Sequence, residues 1–228
     1  MSGRTPLHIW YQDPDIIVID KPDGLLAVPG RGPDKQDSAA SRVRALLPQC
    51  IEQPAVHRLD MDTSGLMVLG LTRAAHAHLS RQFAERRVEK RYLALLEGTV
   101  MDEAGEIALS FRLDPDNRPY QVYDPVQGKL GISRWRKIEA RDGRTLVVFT
   151  PLTGRTHQLR LHASHPLGLG CPIVGDRLYG AGQPGERLFL HATLLRFAHP
   201  ATGQRLTFSS LPSFTDVRPS AWDDGRCD

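Results

Sequence analysis

The sequence of 228 residues contains few cysteines and no long apolar run. The three cysteines, Cys50, Cys171 and Cys227, are odd in number and far apart, so they supply neither a disulfide framework nor a CxxC zinc site. The longest apolar stretches, 16–19 and 66–71, fall far short of the roughly 20 residues that a membrane-spanning helix needs. The first residues include no apolar segment typical of a signal peptide. We therefore expect a cytoplasmic globular protein with no membrane partner.

The chain also lacks a strong excess of either charge. Lys and Arg total 29 and Asp and Glu total 26, which gives a net charge of +3. So small a surplus allows nucleic-acid binding only if the basic side chains share one face. Segment 73–91 concentrates them, with Arg73, Arg81, Arg86, Arg87, Lys90 and Arg91. A solvated helix face followed by an exposed strand would have the same composition, so the charge pattern leaves nucleic-acid binding open.

The signatures of several common enzyme classes are missing. Gly128-Lys129 is followed by Leu130 and lacks the upstream glycine of a phosphate-binding P-loop. No GxSxG, HExxH or GxGxxG motif occurs, which argues against α/β-hydrolase, zincin and dinucleotide-binding chemistry in their usual forms. The nine histidines are scattered without the spacing of a metal site. Their spacing therefore predicts no metal site.

The hydrophobic pattern predicts an α+β fold with a mixed, mainly antiparallel sheet flanked by helices and loops. One predicted helix is capped by Asp37-Ser38 and runs to Leu47, and a second has Thr72 as its N-cap. A third, short helix begins near Thr156 and ends by Pro166. The predicted strands are 7–10, 16–20, 92–96, 107–111, 132–138, 145–150, 194–198 and 205–208.

The domain organisation follows from the absence of a linker. No Ser/Gly-rich segment separates two halves, so we expect a single catalytic domain over 1–228, with its core at about 7–212 and a short tail at 213–228. Segment 112–130, rich in Asp, Pro and Asn, is predicted to be a long surface loop.

Two dense polar clusters are candidates for a functional site. The first is His57-Arg58-Leu59-Asp60-Met61-Asp62-Thr63-Ser64-Gly65. It could simply be a turn, in which polar side chains bond to nearby backbone and Gly65 supplies a positive φ. The second is Gly154-Arg155-Thr156-His157-Gln158-Leu159-Arg160-Leu161-His162. It could be an ordinary helix whose leucines pack inward while its Arg and His side chains meet solvent.

Taken together, the clusters resemble the HRLDxxTSG and GRxHQ(I/L)RxH motifs of the RluA family of pseudouridine synthases. Further similar segments occur in the family's order, from about residue 9 to 208. They are the opening Lys21-Pro22-Asp23-Gly24-Leu25-Leu26-Ala27-Val28-Pro29-Gly30, the strand Lys90-Arg91-Tyr92-Leu93-Ala94 and the segment Gly175-Asp176-Arg177-Leu178-Tyr179-Gly180. The resemblance implies the pseudouridine synthase fold and the isomerisation of a specific uridine in RNA without cofactor or metal.

The resemblance also assigns roles to residues. It implies that Asp60 is the essential aspartate, that Tyr92 lies against the target base, and that Arg160 is the ion-pair partner of Asp60. It implies that Arg58 enters the RNA where the flipped base leaves. The expected RNA-binding and base-flipping set is Arg58, His57, Thr63, Lys90, Arg155, His157 and Gln158. Whether Asp60 adds to the base, attacks the ribose or assists elimination stays open.

One departure and two alternatives accompany this hypothesis. Lys129-Leu130-Gly131-Ile132-Ser133 replaces the Lys-Pro-Ala-x-Thr stretch of many members, which bears on RNA contacts rather than on chemistry. No S4 RNA-binding domain is expected, and the chain is most similar to members that modify both 23S rRNA and the tRNA anticodon stem-loop. We expect a monomer acting on RNA. The alternatives are a single-substrate tRNA synthase of the family and a catalytically silent RNA-binding or RNA-chaperone protein.

Overall fold

The computed structural model describes residues 6–217, which form ten strands, three α-helices and a short 3-10 helix at Pro33–Lys35. The helices are α1 (Ala39–Leu46), α2 (Arg73–Ala84) and α3 (Gln158–Ser164). The strands are β1 (His8–Gln12), β2 (Ile16–Lys21), β3 (Ser64–Gly70), β4 (Glu89–Glu97), β5 (Ala104–Leu113), β6 (Gln121–Tyr123), β7 (Lys129–Arg141), β8 (Arg144–Pro151), β9 (Leu190–Ala198) and β10 (Arg205–Ser209). Most of the predicted tail, 218–228, lies outside the described residues.

The chain divides into two compact units. The first contains Met1–Lys90 and Ala192–Ser210, and the second contains Arg91–His191 and Leu211–Asp228. Strand pairings within each unit are antiparallel, as the α+β prediction required. The single domain over 1–228 stays a prediction. Among the described residues, no helix has the length and hydropathy needed to cross a membrane.

The first unit is built around two buried strands. Its strand order is β1-β2-β3-β9, and β10 pairs with β9. β2 and β3 pair in antiparallel register, so that Lys21 lies opposite Gly65. Gly65 has a φ of 115°, and a Cβ there would lie 2.4 Å from the Ala192 carbonyl oxygen. Glycine is therefore required both by the backbone conformation and by the close approach of another strand.

Local sequence signals define the two helices of this unit. Ser38 caps α1, because its hydroxyl accepts a hydrogen bond from the Ser41 amide while the Ser41 hydroxyl accepts one from the Ser38 amide. Thr72 caps α2 by accepting a hydrogen bond from the Ala75 amide. Both caps confirm the sequence prediction.

The second unit packs α3 against an antiparallel sheet. Its strand order is β4-β8-β7-β5-β6, with a bulge in β7 between Lys137 and Glu139. Phe111, Trp135 and Phe149 extend from the sheet into a core that also contains Leu159 of α3. This packing holds the second polar cluster against β7.

Three sequence predictions differ from the structure. β3 was not predicted, because it is buried on both faces and its continuous apolar run lacks strand alternation. Segment 112–130 was predicted to be a loop, yet it contains β6, which pairs with β5. Finally, the solvent-facing alternative for α3 is wrong, because every residue from 158 to 163 is buried.

Candidate active site

The first polar cluster forms a tight turn immediately before β3. The Thr63 amide donates a hydrogen bond to the Asp60 carbonyl oxygen at 3.1 Å, and the Thr63 side chain is buried. Asp60 is partly exposed, and Arg58 is exposed. The turn therefore presents a carboxylate and a guanidinium at the surface from a backbone that is anchored on its β3 side.

A buried lysine holds this turn to the opening segment of the chain. The Lys21 ammonium is inaccessible to solvent and donates to the carbonyl oxygens of Pro22 (2.8 Å), Leu25 (2.6 Å) and Met61 (2.9 Å). These three bonds use all three of its protons. Burial lowers the pKa of Lys21 to about 8, while nearby carboxylates, including that of Asp60, act in the opposite direction. A positive charge is thus fixed beside the Asp60 turn through backbone contacts.

His57 anchors the other end of the turn. Its Nε2 accepts a hydrogen bond from the Val68 amide in β3 at 3.1 Å, and its ring stacks on Phe83 at 4.4 Å. The Lys90 ammonium lies 5.8 Å from the centre of the same Phe83 ring. Burial lowers the pKa of His57 to about 3, with a smaller contribution from the Lys90 charge. Burial also lowers the pKa of Lys90. His57 is therefore neutral and supports the turn, and its contact with RNA stays a prediction.

In the second unit, Arg160 forms a buried ion pair. Its Nε and Nη2 donate to the Asp176 carboxylate at 2.8 and 2.5 Å, and the two side chains are 2% and 0% exposed. The Asp176 carboxylate also accepts from the backbone amides of Leu178 and Tyr179. The sequence predicted Asp60 as the partner of Arg160. That pairing stays a prediction, and the pairing with Asp176 was not foreseen.

Gln158 fixes the start of α3 on β7. Its amide oxygen accepts from the Thr153 hydroxyl and the Arg155 amide, while its amide nitrogen donates to the Ile132 carbonyl and the Ser133 hydroxyl. These contacts occupy both donors and the acceptor oxygen of a buried side chain. Gln158 thus has a structural role, and a direct RNA contact by Gln158 stays a prediction. Arg155 is exposed, and its Nε donates to the Leu130 carbonyl at 3.3 Å.

His157 precedes α3 in a left-handed conformation. Its φ is 56°, a conformation that costs a non-glycine residue about 1 kcal/mol. The side chain is buried, and its Nδ1 lies 2.8 Å from the Tyr179 hydroxyl. This hydrogen bond helps to hold the unusual backbone geometry at the start of the helix.

Tyr92 lies in β4, opposite Phe149 of β8. It is half-buried and packs against the core of the second unit. The role of Tyr92 at the base stays a prediction.

Three side chains could in principle hold a metal ion. Ligand atoms of Asp13, Asp15 and His199 lie within 4.8 Å of one another. However, His199 Nε2 is 2.7 Å from the Asp13 carboxylate, and its Nδ1 accepts from the Ala201 and Thr202 amides. Because both ring nitrogens are engaged, this cluster connects the β1–β2 turn to the β9–β10 hairpin.

Sequence reasoning missed two residues that organise the polar clusters. Lys21 could have been found, because a lysine at the end of a buried apolar strand must find partners for its charge. Asp176 gave a weaker signal, since it is 16 residues from Arg160 in the chain and nothing local links the two.

Residues 15–165 match the family model described as RNA pseudouridylate synthase. The chain belongs to this family and is an RNA pseudouridine synthase, an isomerase. The match confirms the family, the fold class and the enzyme class predicted from the motifs.

Individual relatives narrow the comparison. The dual-specificity RNA pseudouridine synthase RluA of Haemophilus influenzae is 45% identical over 213 residues, covering 91% of this chain and 94% of the relative. The protein of the same name from Escherichia coli is 42% identical over 212 residues, with the same coverage of both chains. The solved human RNA pseudouridylate synthase domain containing 1 superposes with a TM-score of 0.74 at 30% identity, covering 97% of this chain and 89% of that one.

Proposed function

We propose that this enzyme isomerises specific uridines in stem-loops of both 23S rRNA and the tRNA anticodon arm. The observation that carries the proposal is the similarity to relatives named dual-specificity synthases, which extends along 91% of the chain. A stem-loop is a suitable target, because sequence-specific RNA recognition usually reads bases that can be splayed out of a helix.

Asp60 is the proposed catalytic residue. Breaking the bond between uracil N1 and ribose C1′ and rejoining the base through C5 requires a group that manages the detached base and a proton at C5. A carboxylate on a surface turn can serve as a nucleophile or as a base. The support for this role is its partial exposure on a turn that the Lys21 ammonium holds through the Met61 carbonyl oxygen. Tyr92 is proposed to stack on the base, and Arg160 to stabilise the Asp60 carboxylate.

Arg58 is the proposed base-flipping residue. It is exposed two positions before Asp60, on a turn that His57 holds in place. A side chain that occupies the vacated space offsets an unstacking cost of a few kcal/mol. We expect Arg58→Ala to lower the single-turnover rate at saturating enzyme by about tenfold or more while RNA affinity falls much less. An unchanged rate would make Arg58 an ordinary surface charge.

The proposed working form is a monomeric single domain in the cytoplasm. Light scattering of the RNA-free protein should give a mass of about 25.4 kDa, the mass of one chain. A stable dimer would contradict the monomer.

Chemical mapping of pseudouridines in total RNA tests the substrate proposal. RNA from cells with and without the gene is compared, and the gene carrying Asp60→Asn serves as a second control. We expect uridines in both 23S rRNA and tRNA to lose modification together. Loss only in tRNA would indicate a single-substrate synthase, and no loss would favour a silent RNA-binding protein.

A further inference from the structure

Segment 112–130 contains the last residues of β5, the short strand β6 and the first residues of β7. Between these two strands, β6 pairs with Phe111, Arg112 and Leu113 of β5. The residues from 115 to 119, between β5 and β6, are exposed, and they include Arg118. An element this short needs side-chain contacts to keep one position.

Tyr179 supplies such contacts. Its hydroxyl oxygen accepts a hydrogen bond from the Gln121 amide at 2.8 Å. Its ring meets the Tyr120 ring edge to face, with centroids 5.9 Å apart. Both partners lie where β6 begins, so Tyr179 helps to fix the entry into this strand.

The same side chain contacts the second polar cluster. The hydroxyl lies 2.8 Å from His157 Nδ1, and the Arg160 guanidinium is centred 5.4 Å from the middle of the ring. The Tyr179 amide, in turn, donates to the Asp176 carboxylate that binds Arg160. Because the hydroxyl oxygen accepts from Gln121, its own proton is available for Nδ1 of His157. Tyr179 thus joins segment 112–130, which we call the insertion, to the residues around Arg160.

We propose that Tyr179 is a positioning residue that holds the 112–130 insertion against the Arg155–Arg160 motif, so that the insertion forms part of the RNA-binding surface. The inference rests on the proposed action on RNA stem-loops. The insertion then contributes to affinity for RNA and not to the chemical step. Arg118 is exposed two residues before Tyr120, and its guanidinium is suited to contact an RNA phosphate.

The test is Tyr179→Phe, which keeps the ring over Arg160 and removes only the hydroxyl. We expect the Kd for a labelled anticodon stem-loop to rise about tenfold, because the variant loses the hydrogen bonds of this hydroxyl to Gln121 and His157. The single-turnover rate at saturating enzyme should stay within about twofold of wild type. Tyr11→Phe is the matched control, because it removes a 2.8 Å hydrogen bond to Asp13 in the other unit.

A double-mutant cycle distinguishes positioning from a general loss of stability. If Tyr179 acts through the insertion, Arg118→Ala weakens RNA binding less in the Tyr179→Phe background than in wild type. Additive effects, or equal Kd changes for Tyr179→Phe and Tyr11→Phe, would overturn the inference. So would a fall in the single-turnover rate with unchanged Kd. Failure of the proposed function is a separate result, since it appears as wild-type protein that forms no pseudouridine.

Discussion

The two polar clusters hold their charged side chains in opposite ways. In the first unit, Lys21 binds backbone carbonyls around the Asp60 turn, so the turn is fixed while the Asp60 side chain stays partly exposed. In the second unit, Arg160 is buried and locked by two hydrogen bonds to Asp176. The first cluster therefore leaves a carboxylate accessible, whereas the second holds its charged side chains in a buried ion pair.

The largest expected effect on stability comes from breaking the buried Arg160–Asp176 ion pair. Asp176→Asn leaves the Arg160 guanidinium buried without its countercharge, which should cost about 3–5 kcal/mol of unfolding free energy. Urea denaturation measures the loss. Asp37→Asn is the control, because it breaks the partly exposed Arg42–Asp37 pair and should cost at most about 1 kcal/mol. Equal losses would show that the burial of Arg160 has no energetic consequence.

Removing Lys21, which binds the Asp60 turn, should have the next largest effect. Lys21→Met keeps most of the volume but leaves three carbonyl oxygens without their donor, at a cost of about 2–4 kcal/mol. Activity should fall further than the folded fraction, since the Asp60 turn loses its support. Lys35→Met replaces an exposed lysine as the control. Wild-type turnover by Lys21→Met would show that activity does not depend on the contacts of Lys21 with the Asp60 turn.

A smaller effect is expected from acid. His162 is fully buried, neither ring nitrogen has a hydrogen-bond partner among the described residues, and burial lowers its pKa to about 4. The native state then binds fewer protons than the unfolded state between pH 6.5 and about 4, so stability is lost as pH falls through that window. At pH 5 this loss amounts to about 2 kcal/mol of unfolding free energy, and His162→Leu should abolish it.

The pH dependence of urea denaturation checks this expectation. His8→Leu, at an exposed position in β1, is the control and should leave the acid sensitivity unchanged. If the unfolding free energy of His162→Leu falls with pH as steeply as that of wild type, the acid sensitivity belongs to other groups, of which His57 is the first candidate.

The sequence predicted local features better than distant contacts. Ser38 and Thr72 were identified as caps because a cap depends on neighbours three residues away. β3 was missed because a strand buried on both faces loses the alternation that marks strands. The buried contacts of Lys21 and Asp176 depend on how separate segments pack, which no local pattern records. The motifs therefore identified the family, while the partners of the charged residues required the fold.

The most direct test compares Asp60→Asn with Asp62→Asn. Both changes remove one negative charge from the same turn and alter almost no volume. Release of tritium from 5-tritiated uridine in an anticodon stem-loop is measured under single-turnover conditions, with thermal melting to confirm folding. We predict that Asp60→Asn lowers the rate by about a thousandfold or more with little change in RNA affinity, because phosphate contacts supply most of the binding. Asp62→Asn should retain most of the activity. Turnover by Asp60→Asn close to that of wild type would contradict the assignment of Asp60 as the catalytic residue.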